Sequence, residues 1–113
     1  RVLLAALPPE RRADIIANID FKQITPRTVT SAAKLTEELA RVEQQGYAWI
    51  DGELDPAICG IAVPVRDQAG NVVAAVSINT ISGTITEEEA KNKFLVTLKR
   101  TAQDIRTQTA ANG

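Results

Sequence analysis

The chain lacks histidine and methionine, and its 113 residues include one cysteine, one tryptophan, one tyrosine and two phenylalanines. Without histidine, a Ser-His-Asp or Cys-His catalytic unit cannot form within these residues. The common zinc ligand sets are excluded for the same reason. A single cysteine, Cys59, cannot form an intrachain disulfide and is typical of a reducing cytoplasm. We therefore expect no catalytic residue, metal or cofactor, and the chain is not expected to be an enzyme.

Neither sign of charge dominates, since 13 Lys and Arg stand against 14 Asp and Glu, for a net charge of -1. A DNA-binding surface needs clustered cations to meet phosphates, so autonomous binding of nucleic acid is not expected. No apolar run approaches the ~20 residues that span a bilayer, and no signal-peptide pattern is present. These absences predict a cytoplasmic protein without membrane contact. The length fits one domain with a genuine core.

Helical patterns account for a large part of what the sequence does contain. Thr30 or Ser31 can cap the longest of the first three helices, and Gly46 is its expected left-handed end. Thr86 and Glu89 have capping-box spacing and predict the start of the last helix. The four predicted helices cover residues 2–7, 9–17, 31–45 and 87–109.

Strand patterns occupy the middle of the chain, at residues 47–50, 60–66 and 71–79. Ile61, Val63 and Val65 alternate with smaller residues and predict a buried strand face. The sequence from Asp67 to Gly70 has turn chemistry and predicts a hairpin between the last two strands. Together the elements predict an α+β fold, in which helices pack on one face of an antiparallel sheet and a pocket lies on the opposite face.

An ordered set of short motifs runs along the chain: RVLLAALP at 1–8, GYA at 46–48, DGELD at 51–55, IAVPV at 61–65, Asp67, Gly70 and VAAVS at 73–77. This set resembles the effector-binding domain of isocitrate-lyase-regulator (IclR) type transcription factors. The resemblance extends without gaps over residues 46–79, and the flanking helices agree with it. The motif sequences are most similar to those of the branch that regulates aromatic-acid and ketoadipate catabolism.

The resemblance implies a partial GAF-like domain. Residues 1–113 would be the C-terminal portion of an effector-binding domain, and a winged helix-turn-helix that binds DNA would be absent from this chain. About half of the sheet would be present, which leaves backbone unpaired at an edge. The chain is therefore expected to be dimeric or to pair with missing strands supplied by a neighbour, and the resemblance implies a homodimer or homotetramer.

The third predicted strand has two distinct faces. Val72, Ala74, Val76 and Ile78 form an apolar face that suits packing under a helix, while Val73, Ala75, Ser77 and Asn79 point the other way. By strand pattern alone, Ser77 and Asn79 would simply face solvent. The resemblance favours a pocket, because Ser77 and Asn79 match the family's effector-contacting pair. We expect Ala75 to lie beside them, and Asn79 departs from the serine of many relatives.

The acidic loop gives a second group of candidates. Asp51, Glu53 and Asp55 could be solvated loop charges, whereas the resemblance places Asp51 at the pocket. Ile50 stands where many relatives carry an aspartate, which would favour a larger or more aromatic effector. Trp49 could line the cavity or pack in the core.

Cys59 and Gly60 depart most clearly from the family's pattern. Relatives commonly carry Cys or Ser at the position of Gly60, where it contacts effector. Gly60 could offer its backbone N–H or enlarge the cavity. Cys59 would be a small buried hydrophobe or, alternatively, a redox sensor.

These observations lead to a ligand-sensing domain that binds a small carboxylic acid, aromatic or keto, and alters DNA binding by an attached domain. The alternative is a GAF-type sensory domain of a signalling kinase or cyclase. An enzyme with Cys59 as nucleophile is disfavoured, because no histidine could activate the thiol.

Overall fold

A computed structural model describes residues 1–112, with side chains as far as residue 109. Four helices surround one three-stranded sheet. Within the described residues, no helix has the length and apolar composition needed to cross a membrane. The elements, in chain order, are α1 (Val2–Ala5), α2 (Pro9–Ala17), α3 (Ala32–Gln45), β1 (Ala48–Asp51), β2 (Ile58–Arg66), β3 (Val72–Ile81) and α4 (Glu87–Asn112).

The ends of the two long helices follow local sequence signals. Ser31 caps α3 by accepting a hydrogen bond from the backbone N–H of Lys34 at 3.1 Å. Gly46 ends that helix with φ +81°, a left-handed conformation that glycine adopts at little cost. At the start of α4, Thr86 and Glu89 exchange side-chain-to-backbone hydrogen bonds of 3.1 Å each. The predicted cap, stop and capping box are therefore all confirmed.

The sheet is antiparallel throughout, in the order β1-β2-β3. The β2–β3 hairpin is closed by Asp67, whose N–H donates to the carbonyl of Asn71 at 2.9 Å. The carboxylate of Asp67 also accepts the backbone N–H groups of Ala69 and Asn71. Gly70 has φ +88°. The turn chemistry thus produces the predicted hairpin.

A bulge at the hairpin end changes which way one side chain points. The register runs Val65↔Ala74 but Arg66↔Val72, so Val72 and Val73 together oppose a single residue of β2. Val72 consequently lines a cavity beside Pro64 and Arg66. The prediction that Val72 shares the core face of Val76 was wrong, because the extra residue reverses the alternation.

One sheet face packs under α4, as predicted. Ile61, Val63 and Val65 of β2 are at most 3% exposed and form a core with Leu98 and Ala102 of α4. Val76 and Ile78 of β3 pack against this core.

The other face carries a second helical layer, which the sequence did not predict. Ala48 of β1 is buried in a core with Leu35, Leu39 and Val42 of α3, and Ala62 of β2 packs against it. The α+β class and antiparallel order are confirmed, but helices lie on both sides of the sheet. The reason is that the small residues Ala48 and Ala62 let α1 and α3 approach one part of the face. The polar part around Ser77 and Asn79 stays open.

Candidate functional site

A cavity of about 400 Å³ lies on the sheet face opposite α4, between the three strands and the acidic loop at residues 52–57. Four of the six predicted site residues line it: Ile50, Gly60, Ser77 and Asn79. The other lining residues are Ala48, Glu53, Leu54, Asp55, Ile58, Cys59 and Ala62.

Strand register explains why these four residues meet. Gly60 lies opposite Ile50 on one side and opposite Asn79 on the other. Ala62 lies opposite Ser77, one pleat further along. Side chains directly opposite each other in an antiparallel pair share a face. The apolar side chain of Ile50 and the polar side chains of Ser77 and Asn79 therefore face the same space. Gly60, which has no side chain, leaves this space open between them.

The polar end of the cavity is a linked pair. The Asn79 amide Nδ2 donates to the hydroxyl Oγ of Ser77 at 3.3 Å. Both residues are exposed, so a ligand can reach them. The hydroxyl of Ser77 can still donate its proton, and the amide keeps a second N–H and its carbonyl oxygen.

Asp51 does not line the cavity. Its carboxylate forms an ion pair with Arg27, with Nη1 and Oδ2 2.9 Å apart, and accepts a hydrogen bond from the hydroxyl of Ser82. Successive side chains in a strand point to opposite faces. Since Ile50 faces the cavity, Asp51 must face away from it, and a contact between Asp51 and an effector stays a prediction.

Ala75 also lies outside the cavity. It shares the face of Ser77 but pairs with Pro64, one pleat nearer the hairpin. Same-face neighbours on a strand are roughly 6–7 Å apart. The residues of β3 that line the cavity are Ser77 and Asn79. Ala75 is the next residue on the same face, just outside the cavity.

Among the described residues, Glu53 is one of the two charged residues, with Asp55, that line the cavity. It lines this cavity and also a neighbouring one of about 320 Å³, and the two share Ile50, Glu53 and Leu54. The guanidinium of Arg1 forms an ion pair with Glu53 and approaches Glu38, with Nη1 and Oε2 3.7 Å apart. Because the side chains of Arg1 and Glu53 are only 9% and 22% exposed, this pair offsets much of the negative charge at the boundary.

Two threonines that the sequence analysis did not select hold the acidic loop in place. Thr25 is 4% exposed, and its hydroxyl donates to the carbonyl of Gly52. The hydroxyl of Thr28 donates to the carbonyl of Glu53. The only sequence signal is the Thr-Pro-Arg-Thr segment at 25–28, in which Thr25 Oγ1 also accepts the N–H of Arg27 at 3.1 Å, a threonine turn.

The side chains of Trp49 and Cys59 point to the other side of the sheet, although Cys59 also borders the cavity. Trp49 packs against the core under α4. Cys59 is 1% exposed, and burial, assisted by the charge of Asp51, raises the pKa of its thiol. An uncharged, enclosed thiol fits the prediction of a small buried hydrophobe.

Another cavity, of about 340 Å³, lies between α1, the end of α3 and the hairpin. Its lining includes none of the predicted site residues. The cavity at Ser77 and Asn79 is the better candidate, because apolar walls and a few placed hydrogen-bonding groups are the usual features of a ligand pocket.

Comparison with known proteins identifies the family. The profile described as "Bacterial transcriptional regulator IclR C-terminal" matches residues 1–107. The chain belongs to this IclR family. It is 32% identical over 105 residues to the Pca regulon regulatory protein of Pseudomonas putida, and the match covers 93% of this chain and 36% of that protein. It is also 33% identical over 108 residues to the regulator KdgR of Dickeya chrysanthemi, and that match covers 96% of this chain and 35% of that protein.

Solved structures agree with the family. A transcriptional regulator from Rhodococcus sp. RHA1 superposes with a TM-score of 0.93 at 31% identity, over 97% of this chain and 45% of that one. The inducer-binding domain of PobR from Acinetobacter, a double mutant in complex with 3-hydroxybenzoic acid, superposes with a TM-score of 0.86 at 28% identity, over 93% and 60%. The predicted IclR resemblance and α+β fold are confirmed.

The relatives' names bear on the predicted function. The Pca regulon regulator fits the predicted aromatic-acid branch. The names also agree with the expectation that the chain is not an enzyme, and they favour a regulator over a sensory domain of a kinase or cyclase. The chain spans little more than a third of these two relatives.

Proposed function

We propose that this chain is the C-terminal portion of an effector-binding domain and that it binds a small carboxylic acid, aromatic or keto, in the cavity at Ser77 and Asn79. The observation that carries the proposal is the meeting of Ile50, Gly60, Ser77 and Asn79 around one space of about 400 Å³. The 3-hydroxybenzoic acid complex of the PobR domain supports this class of ligand.

The charges around the cavity define how a carboxylate would be held. Among the described residues, the lining contains Glu53 and Asp55 but neither lysine nor arginine. Ser77 and Asn79 are neutral donors, so the acid would be bound by hydrogen bonds rather than by a cation. Arg1 reduces the repulsion from Glu53 by pairing with it, and Ile50 supplies the apolar surface for a ring or chain.

Regulation would reach DNA through an attached winged helix-turn-helix outside this sequence. A net charge of -1 is consistent with an indirect role. A ligand can shift a conformational equilibrium only by binding one state more tightly than another. The acidic loop, which borders the cavity and is tied to other elements through Thr25 and Arg1, is the part of the site that would carry this difference. The regulator would act in the cytoplasm.

The edge strand β3 supports association. Within residues 1–112, β3 pairs only with β2, and the exposed fractions of Val73 and Ile81 are 60% and 62%. Unpaired strand edges attract further strands. Strands from the rest of the protein would cover this edge, or strands from a second copy would do so in a homodimer or homotetramer.

The proposal is tested by calorimetry on the full-length protein, titrated with aromatic and short-chain keto acids. For the acid that binds best, Ser77→Ala/Asn79→Ala should weaken binding by roughly 1–3 kcal/mol, because two hydrogen bonds are removed. Glu53→Gln should have a smaller effect, since Glu53 orients the loop. Thr107→Ala is the matched control, because its hydroxyl bonds a helix carbonyl on α4.

Unchanged affinity in the double variant, with an unchanged circular dichroism spectrum, would mean that Ser77 and Asn79 only face solvent. Loss of binding in Glu53→Gln alone would move the site to the acidic loop.

A further inference from the structure

Gly60 has a role that its backbone does not explain. It lies inside β2, where glycine weakens a strand and often marks a close approach. In the described part of the chain, Gly60 does not have a positive φ angle. The glycines that do are Gly46, Gly52, Gly70 and Gly83. Any residue could adopt its backbone conformation, so the reason for glycine must be steric.

The steric reason is the side chain of Asn79. A Cβ at residue 60 would lie 2.2 Å from Asn79 Oδ1, 3.2 Å from Asn79 Cγ and 3.3 Å from the carbonyl oxygen of Ile78. The first distance is far inside van der Waals contact. The Asn79 amide therefore occupies the space that a side chain at residue 60 would take.

The hydrogen bond to Ser77 orients this amide. Because Nδ2 is the end that donates to Ser77 Oγ, the carbonyl oxygen Oδ1 is the end that lies over Gly60. The pair of residues then presents donors, the Ser77 hydroxyl and the second Asn79 N–H, next to an acceptor, Asn79 Oδ1. Donors suit a carboxylate, whereas the acceptor suits a hydroxyl.

We propose that Gly60 and Asn79 form one specificity unit, in which the absent side chain at residue 60 lets the Asn79 carbonyl lie over the cavity floor and recognise a hydroxyl on the effector acid. The inference rests on the proposed function and refines it, since it names a hydroxy acid as the preferred ligand. A hydrogen bond of this kind changes affinity by about 3- to 10-fold.

The two positions are coupled in a way that can be measured. Asn79 is exposed, so a methyl group at residue 60 would turn the amide away rather than unfold the strand. Gly60→Ala and Asn79→Ala should therefore remove the same interaction, and their effects should not add.

The test titrates the full-length protein with benzoate and 3-hydroxybenzoate, which differ by one hydroxyl, and is joined by a crystal structure of Gly60→Ala. We expect the unsubstituted protein to prefer 3-hydroxybenzoate by about 3- to 10-fold. Gly60→Ala, Asn79→Ala and the double variant should each lose that preference to the same extent. In the crystal structure, the Asn79 amide should have left the position over residue 60. Ile50→Val is the control, because it changes the apolar wall and should affect both acids alike.

Equal preference ratios in all variants, additive losses, or an unmoved Asn79 amide in Gly60→Ala would overturn the inference while leaving the proposed function intact. If neither these probes nor any acid of the wider panel bound the unsubstituted protein, the proposed function itself would fail, and the specificity unit with it.

Discussion

Thr25 should control the position of the acidic loop, and Thr25→Val tests this with little change in shape. Thr25 is 4% exposed, and its hydroxyl donates to the carbonyl of Gly52 and accepts the N–H of Arg27. Valine keeps the branched shape but has no hydroxyl. The substitution therefore removes two hydrogen bonds without opening a large cavity.

The expected magnitude follows from what is left behind. A buried group that loses its hydrogen-bond partner costs about 1–3 kcal/mol. The carbonyl of Gly52 belongs to a buried residue, whereas Arg27 is exposed, so most of the cost should come from the carbonyl of Gly52. Since Thr28 still holds the carbonyl of Glu53, the loop should loosen rather than detach. We expect a local cost of about 1–2 kcal/mol.

Hydrogen–deuterium exchange over residues 50–58 measures this local opening directly. A cost of about 1.4 kcal/mol corresponds to tenfold faster exchange. Thr36→Val is the matched control, because Thr36 is exposed and its hydroxyl donates to a carbonyl of its own helix at 2.8 Å. Equal exchange in Thr25→Val and Thr36→Val would refute the anchoring role of Thr25. Effector affinity should fall with the loosened loop, because Glu53 and Leu54 line the cavity.

Two further predictions concern stability and association. Burial and the 2.9 Å hydrogen bond to Glu87 raise the pKa of Tyr47 above its usual 10.0. The folded state therefore holds the phenolic proton more tightly than the unfolded state, so this stabilisation is complete below pH ~10 and is lost as pH rises through the raised pKa. Tyr47→Phe should flatten that loss in urea denaturation measured across this range, and an unchanged pH profile would contradict the assignment. Light scattering should find the chain alone associated at micromolar concentration, because β3 leaves an open edge; a monodisperse monomer would count against this.

Features encoded by neighbouring residues were predictable from the sequence. Ser31, Gly46, Thr86 and Glu89 set helix ends through contacts within four residues. The hairpin turn at Asp67 is equally local. In each case the groups that form the structure lie within four residues of each other, so the local sequence pattern contains the whole interaction.

Strand alternation predicted part of the site. It placed Ser77 and Asn79 on one face, and the register brings Ile50 and Gly60 to them. Asp51 was assigned to the acidic loop, but β1 continues to Asp51, so its side chain points away from the face of Ile50. The prediction that Val72 lies on the core face failed because a bulge inserts one residue into β3. The sequence pattern does not indicate where that bulge lies.

What the sequence could not supply is the set of contacts between distant segments. Thr25 and Gly52 are 27 positions apart, and Arg1 and Glu53 are 52 apart, so neither contact leaves a periodic pattern. The close approach of Gly60 and Asn79 depends on β2 and β3 adopting one register out of several. A one-residue slip would put every side chain of a strand on the opposite face, and Gly60 would then have no steric reason to be glycine. The buried rows of Ile61, Val63 and Val65 prevent that slip, because it would expose them. The apolar core under α4 therefore determines the geometry of the polar cavity on the other side of the sheet.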